Sequence, residues 1–339
     1  MKRFVLWLCV AASLYVQAAT PVPELGDARI VVLANNLQNY YYNYDESSRP
    51  SYHTDEGRAA KTHKIVQMMI ASNADIFAFC EVEAKPIVLQ QLVDSLNAAT
   101  GDNTYAAVED GIYVATDDYD NAIKSGFVYK IATVAPYGNN YAATNITYYR
   151  NTMRIQAWEE LATGERFTLS MNHFKAMSDE ASVARRADNA RWLMNGLSNP
   201  NKVKDPDILI MGDLNCQMNE EAISIIEDNG YEEQLLRFDE DAYSYVYYGN
   251  QELIDHAFAN STMAQQVTGA AVWHTNTSIA YNNRYSDHDA VMVGLRLGEE
   301  TSTPEGVTTG PQAQKILLHG QIIIIRSGVE YTVTGQRLN

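Results

Sequence analysis

The chain has 339 residues, of which 46% are hydrophobic and 20% charged, enough apolar material for one large domain or two ordinary ones. Its formal charge is −17, from 25 Lys and Arg against 42 Asp and Glu, which excludes the broad basic face of a protein that coats nucleic acid. An enzyme stays compatible with that balance, because bound cations supply positive charge locally in a carboxylate-lined cleft.

Lys2 and Arg3 precede an apolar stretch from Phe4 to Val16, followed by Gln17-Ala18-Ala19. A charged start, a short apolar middle and small residues at the cut predict a secretory signal peptide over 1–19. The stretch is too short for a membrane span, and no later segment approaches the length needed. The mature chain is expected to be secreted, or held at the cell surface or in the periplasm. Its charge would be −19, which is −17 without Lys2 and Arg3. Only Cys80 and Cys216 remain in it, so one disulfide is the most that can form. Each ends an apolar run, where a buried free thiol is the plainer reading; a bridge beside Glu81 and Asn215 is the alternative.

In chain order, strands are predicted at Arg29–Ala34 and Asp75–Cys80, with a helix from Thr54 to Ala71 between them. Thr54 is its cap, and Ile65, Met68 and Met69 share one face. Further helices are predicted over Ile87–Ala98 and Ala181–Leu197. Further strands are predicted at Gly126–Tyr129, Arg154–Trp158, Phe167–Met171, Ile208–Met211, Leu253–Ala259 and Val291–Leu297. Strands on both sides of helices with no fixed repeat suggest a mixed α/β sandwich in one domain, 27–298. Residues 299–314 have linker composition. Residues 315–339 read as short β-strands with glycine turns, too few to be stable alone. Tyr331, Gly335 and Gln336 of this tail resemble the ends of short C-terminal tails on secreted proteins of the Bacteroidetes, which implies export or surface-attachment machinery as a partner. There are 22 Tyr against 8 Phe. The clusters Tyr40-Tyr41-Tyr42, Tyr148-Tyr149 and Tyr247-Tyr248 read as strand-pairing surface or as stacking platforms for bases or sugars, with more weight on the structural reading.

Polar residues gather where the strands end. Asn36 and Asn39 follow Ile30–Ala34, Glu81 and Glu83 follow Ile76–Cys80, Asn172 and His173 follow Phe167–Met171, and Asp213 and Asn215 follow Ile208–Met211. Asp255 and His256 lie in Leu253–Phe258, and Ser286-Asp287-His288-Asp289 precedes Ala290. Any one of these is more often a satisfied turn residue than a functional one. Together, hard oxygen ligands that hold Mg²⁺, with imidazoles and carboxamides to stabilise growing negative charge, suit hydrolysis at phosphorus. No Gly-x-Ser-x-Gly elbow, Walker loop or His-Glu-x-x-His is present, and the scattered histidines and unpaired cysteines argue against zinc.

Taken in order, Asn36-Leu-Gln-Asn39, Cys80-Glu81-Val-Glu83, Asn172-His173-Phe-Lys175, Gly212-Asp213-Leu-Asn215, Ile254-Asp255-His256 and Ser286-Asp287-His288-Asp289 resemble the endonuclease/exonuclease/phosphatase superfamily, the deoxyribonuclease-I-like fold. Ala122-Ile123-Lys124, Asn172-His173-Phe174-Lys175 and Val272-Trp273-His274-Thr275-Asn276 resemble, more narrowly, its large secreted bacterial nucleases. The resemblance implies a four-layer sandwich, two packed mixed β-sheets flanked by helices, with the small β tail appended. It implies Glu81 and Asp287 as metal-side carboxylates, and Asp213, with Asn215, as the group that positions or deprotonates water. His173 and His288 would contact the scissile phosphate, with Asp255 orienting His288. Asn36, Tyr129, Asn172 and Lys175 would bind substrate phosphate. Gln38 stands where some members have an acidic ligand, so the number of metals stays open. The expected cofactor is Mg²⁺, with Mn²⁺ or Ca²⁺ as alternatives, and the expected substrate is DNA or RNA cut by a monomer. Lys124, Arg154, Lys175, Arg185 and Arg186 are candidates to meet its charge. The rivals are a lipid headgroup or small phosphoester as substrate, and a surface binding protein without turnover.

Overall fold

In the computed structural model, which describes residues 20–40, 54–83, 86–108, 123–142 and 153–298 together with the backbone of 314–318, 321–326 and 329–332, alternation along each strand sorts the core. The first half of the chain runs β1 (Ile30–Tyr40), α1 (Asp55–Ser72), β2 (Ile76–Glu83), α2 (Pro86–Thr100), β3 (Tyr105–Ala107), β4 (Ile123–Lys130), β5 (Val134–Ala142), β6 (Met153–Glu160) and β7 (Arg166–His173). Then come α3 (Glu180–Leu197), β8 (Ile208–Asp213), α4 (Glu221–Asp228), β9 (Tyr231–Glu233), α5 (Gln234–Phe238), β10 (Tyr245–Tyr247) and β11 (Asn250–Glu252). The last elements before the tail are β12 (Asp255–Asn260), α6 (Ser261–Ala264), β13 (Val267–Trp273) and β14 (Ala290–Leu295).

Two six-stranded mixed sheets result, ordered β13-β14-β1-β2-β4-β3 and β5-β6-β7-β8-β12-β9. Ile30, Val32 and Ala34 of β1 and Ile76, Ala78 and Cys80 of β2 share one core with Leu169 and Met171 of β7 and Leu209 and Met211 of β8. Their alternate neighbours Leu33, Phe77 and Phe79 pack instead with Ile65 and Met69 of α1 and Leu92 of α2. On the other sheet, Ile208 and Ile210 meet Leu193 of α3 and Ile223 of α4. Helices, sheet, sheet and helices therefore make the four expected layers.

Thr54 caps α1 as its sequence predicts, accepting from the Gly57 amide at 3.0 Å. Helices α1 and α3 are the crossovers that allow β1–β2 and β7–β8 to run parallel. Those parallel strands end at a common rim, the usual position for chemistry in such sheets. β5 was not foreseen, because Pro136, Gly138 and two asparagines read as a turn. It is an edge strand, where proline costs no ladder bond. The short strands β3, β9, β10 and β11 and the Gly- and Ala-rich β13 also lack a sustained apolar alternation.

Residues 314–332 supply β15 (Gln314–Leu318), β16 (Gln321–Arg326) and β17 (Val329–Thr332), an antiparallel three-stranded sheet. The predicted signal peptide, nearly all of the predicted linker, and Tyr41, Tyr42, Tyr148 and Tyr149 lie outside the described residues. Among the described residues, no helix is long and apolar enough to cross a membrane. Cys80 and Cys216 are both free and buried, so the alternative of a bridge falls. Burial pushes both thiols up, with nearby carboxylates adding, which leaves neither as a thiolate nucleophile.

Candidate active site

Three strands of the second sheet place polar residues in one row. His173 pairs with Asp213 across the parallel β7–β8 ladder, and Asp213 pairs with Asp255 across the antiparallel β8–β12 ladder. His173 and Asp213 have the parity of the inter-sheet residues Met171 and Met211, so both point into the space between the sheets. Gly212, at φ +126, lets the β8 backbone pass against β7 immediately before the row.

The first sheet contributes from the opposite side. The Asn36 carboxamide donates to Asp213 Oδ2 at 2.9 Å and to Glu81 Oε1 at 3.1 Å, tying the two sheets together. Glu81 Oε2 also accepts the Asn39 amide at 2.8 Å. Gln38, Asn39 and Glu81 have φ of 47°, 54° and 54°, and the β1–β2 register shifts between Asn36 and Tyr40. This double bulge turns Glu81, which by alternation would face the helices, toward the rim. His173 Nε2 lies 3.6 Å from Glu81 and 3.7 Å from Asp213, within ion-pair reach of both carboxylates but longer than a direct hydrogen bond.

His288 comes from the turn before β14. Its Nδ1 is 2.7 Å from Asp255 Oδ2, and its Nε2 faces Asp213 Oδ2 at 3.8 Å. The Ser244 hydroxyl donates to the same Asp255 oxygen at 2.7 Å. Asn276 braces the turn, donating to the His288 carbonyl at 2.7 Å and accepting from the Tyr285 and Ser286 amides. Asp289 accepts from the amides of Asn276 and Thr277 and from the Thr277 hydroxyl, and pairs with His274 at 2.7 Å. The Ser286 hydroxyl donates to the Asn36 carbonyl at 2.5 Å.

Burial pushes the Asp213 carboxyl up to about 7; the charge of His288 opposes this, Asp255 adds to it, and the Asn36 bond opposes it. Burial alone would pull His288 down, but the carboxylates of Asp255 and Asp213 outweigh it and hold the imidazole well above its ordinary value. The result is a charged imidazole beside a carboxylate that changes protonation near neutrality, which suits general acid–base work.

Asn36, Glu81, His173, Asp213, Asp255, Asp287 and His288 are therefore brought together. Asn215 stands just behind: its amide donates to Asp213 Oδ1 at 2.9 Å, and its side chain donates to the Phe174 carbonyl at 3.3 Å. Two expected phosphate binders are not in the site. Tyr129 pairs with Ile76, at the opposite end of β2 from Glu81, because β4 runs antiparallel to β2. Five residues at about 3.3 Å each separate the two levels by roughly 16 Å, and the ring packs against Trp158. Asn172 has the wrong parity. Its amide donates to the Ser170 and Met211 carbonyls on the far face. Lys175 is half-buried after β7, where its carbonyl accepts from Arg186 and its backbone amide donates to the Asn189 side chain. Arg186 is spent on Glu220 and the Lys175 and Met177 carbonyls, and Arg154 donates to the Ser125 carbonyl in the interior.

Sequence reasoning named Asn276 and Asp289 within its motifs without giving them a role, and missed Ser244 and Lys61. Lys61 of α1 is buried, its ammonium donating to the Gln38 carbonyl at 2.7 Å. Its charge also reaches Asp287. It therefore holds the left-handed segment whose Asn39 amide grips Glu81. Lys61→Met is expected to weaken the divalent-cation requirement curve by about 10-fold, the usual cost of losing a partner behind a ligand. An unchanged midpoint in a cation titration of activity would remove Lys61 from that role.

The donor chemistry separates a cation position from the acid–base chain. Asp213, Asp255 and His288 have ligand atoms within 4.8 Å of one another, but Asp255 and His288 are already joined by a hydrogen bond and the imidazole is held in its charged form. Glu81 and Asp287 fit a hard cation better. Burial, together with the charge of Glu81, raises the Asp287 carboxyl. At 34% side-chain exposure, against 2% for Asp213, the partly buried Asp287 is the more accessible carboxylate.

Two facing sheets with paired carboxylates and imidazoles at one rim define a phosphoesterase architecture. Residues 36–288 match the profile of the Endonuclease/Exonuclease/phosphatase family, and the chain belongs to that family. The match begins at Asn36 and ends at His288, the first and last residues of the site. Among solved structures, a Bacteroides thetaiotaomicron mannosyl-6-phosphatase superposes with a TM-score of 0.58 at 17% identity, covering 79% of this chain and 100% of that one. The human Nocturnin catalytic domain with bound sulfate gives 0.56 at 14% identity, over 81% and 96%. D. rerio TDP2 complexed with a single-strand DNA product gives 0.54 at 14% identity, over 79% and 98%. At these identities the likeness is one of fold. No curated protein matches the chain.

Proposed function

We propose that this protein is a secreted, divalent-metal-dependent phosphodiesterase, an endonuclease acting on DNA or RNA and related to large secreted bacterial nucleases. The observation that carries the reading is the row His173–Asp213–Asp255–His288, faced across the inter-sheet gap by Asn36 and Glu81. Glu81 and Asp287 would hold Mg²⁺. An ion held there would supply Lewis acidity toward the substrate phosphate. Asp213, oriented by Asn36 and by the Asn215 amide, aligns a water and takes its proton. His288, kept charged by Asp255, and His173 donate to phosphate oxygens as negative charge grows on them.

The deciding assay incubates mature protein with supercoiled plasmid, RNA and sphingomyelin, each with Mg²⁺, Mn²⁺, Ca²⁺ or EDTA. Metal-dependent nicking of plasmid or cutting of RNA is the expected result. Cleavage of sphingomyelin alone would move the substrate to a lipid headgroup, and no cleavage of any of the three would overturn the nuclease reading and leave a small phosphoester or a binding role.

A further inference from the structure

The hairpin β10–β11 carries aromatic rings outward from the site. Its turn residues Tyr248 and Gly249 have φ of 46° and 85°, the two left-handed positions of a tight hairpin turn. Tyrosine is a costly choice at the first of them. Tyr245 bridges to His288 through the backbone, and its ring lies 4.8 Å from the imidazole. Tyr247 continues the row, 6.4 Å from Tyr245 with rings 17° from parallel. Tyr248 sets its edge to Tyr247 at 4.6 Å. Tyr247 is 52% exposed and Tyr248 89% exposed. These rings are not core: the aromatic pair Phe127 and Trp158 between the sheets is fully buried.

We propose that Tyr245, Tyr247 and Tyr248 form a stacking platform for the unpaired bases of a single-stranded nucleic acid whose phosphate is held at His288. The inference rests on the phosphodiesterase reading and narrows its substrate. Because Tyr245 touches His288 and Tyr247 continues from it, a strand whose phosphate sits at His288 would have the hairpin rings beside it. Duplex bases keep their faces covered by one another, so only an unpaired strand can use exposed rings in this way. With 25 basic against 42 acidic residues, the protein also lacks the long-range attraction that ordinarily binds phosphate backbones. Stacking is an affinity source that this charge balance does not weaken.

The test measures binding of the mature chain in EDTA to a labelled oligothymidylate, to an abasic strand of equal length and to a duplex. The base-bearing single strand is expected to bind about 10-fold or more tightly than the abasic strand, from one or two stacked bases. Its affinity should fall only shallowly with salt. Tyr247→Ala with Tyr248→Ala should erase the preference for bases. Tyr247→Phe with Tyr248→Phe, which keeps the rings, should retain it, and melting curves show that each pair is folded. Equal affinity for the abasic strand, tighter binding of duplex, or an alanine pair that binds like the parent would overturn the platform. Base-dependent binding without metal-dependent hydrolysis of any diester would instead sink the catalytic reading and leave the platform standing.

Discussion

Asp213→Asn is expected to lower turnover by about 10³-fold and, above neutral pH, to raise the melting temperature. The first effect follows from removing the group that accepts the water's proton, a loss of roughly 10²–10⁴ in rate for a positioned base. The second follows from where that carboxylate sits. Its value rises from 3.8 to about 7 in the fold, so the folded state favours the protonated form. Its favourable contribution is complete below about pH 4 and is lost as pH rises through about 7. Asparagine keeps the shape and carries no charge to bury, but its single carbonyl oxygen retains only one of the two contacts, to Asn36 or to the Asn215 amide, which trims the gain. At pH 8 the gain should be on the order of 1 kcal/mol, or about 2–4 °C. The same value predicts an acidic limb near pH 7 in the parent's activity profile, before bound cation shifts it downward. Calorimetry at pH 5 and pH 8 with single-turnover rates decides the matter. A variant that stays active, or that melts lower at pH 8, would mean Asp213 is not the proton acceptor.

Gly212→Ala should be the most damaging conservative substitution in the domain. A Cβ there would lie 2.2 Å from the Asn172 carbonyl oxygen and 2.8 Å from its nitrogen, at φ +126. These are backbone atoms of the adjoining strand, so no rotamer change relieves them. Separating β7 from β8 would also break the pairing of His173 with Asp213. A loss of about 4 kcal/mol or more in urea unfolding is expected, in the range reserved for such mechanisms. Gly230 isolates the conformational part, because it has φ +88 and a Cβ added there would meet nothing within 4 Å. Gly230→Ala should cost only about 1 kcal/mol. Equal losses for the two substitutions would show that the close strand approach carries no weight.

The strand ends were legible because each site residue follows an apolar run, and chain order supplied the architecture. What stayed hidden depends on direction and parity. Tyr129 ends the predicted strand Gly126–Tyr129 just as other site residues end theirs, but the antiparallel run of β4 puts it at the wrong end. Asn172 could have been excluded from the alternation of Phe167, Leu169, Met171 and His173 alone. Lys61 was also readable: it precedes Ile65, Met68 and Met69 by four, seven and eight residues, a cation on an apolar helical face. Ser244 has no such signal, since it reaches Asp255 only once the chain between them has folded back. Asn36 and Glu81 were placed by their strands, but the left-handed turn that aims Glu81 is chemistry no propensity predicts for a glutamate.

The Asn36 carboxamide has one bond to each sheet, to Glu81 on its own and to Asp213 on the other. The site thus acts as a caliper set to the spacing between the two sheets. A repacking of Phe127 against Trp158, or any change that slides one sheet on the other, would open the caliper without touching a reacting group. Core volume therefore becomes a rate-determining dimension, and thermostabilised versions selected for packing alone should lose turnover in proportion to how far they move the jaws.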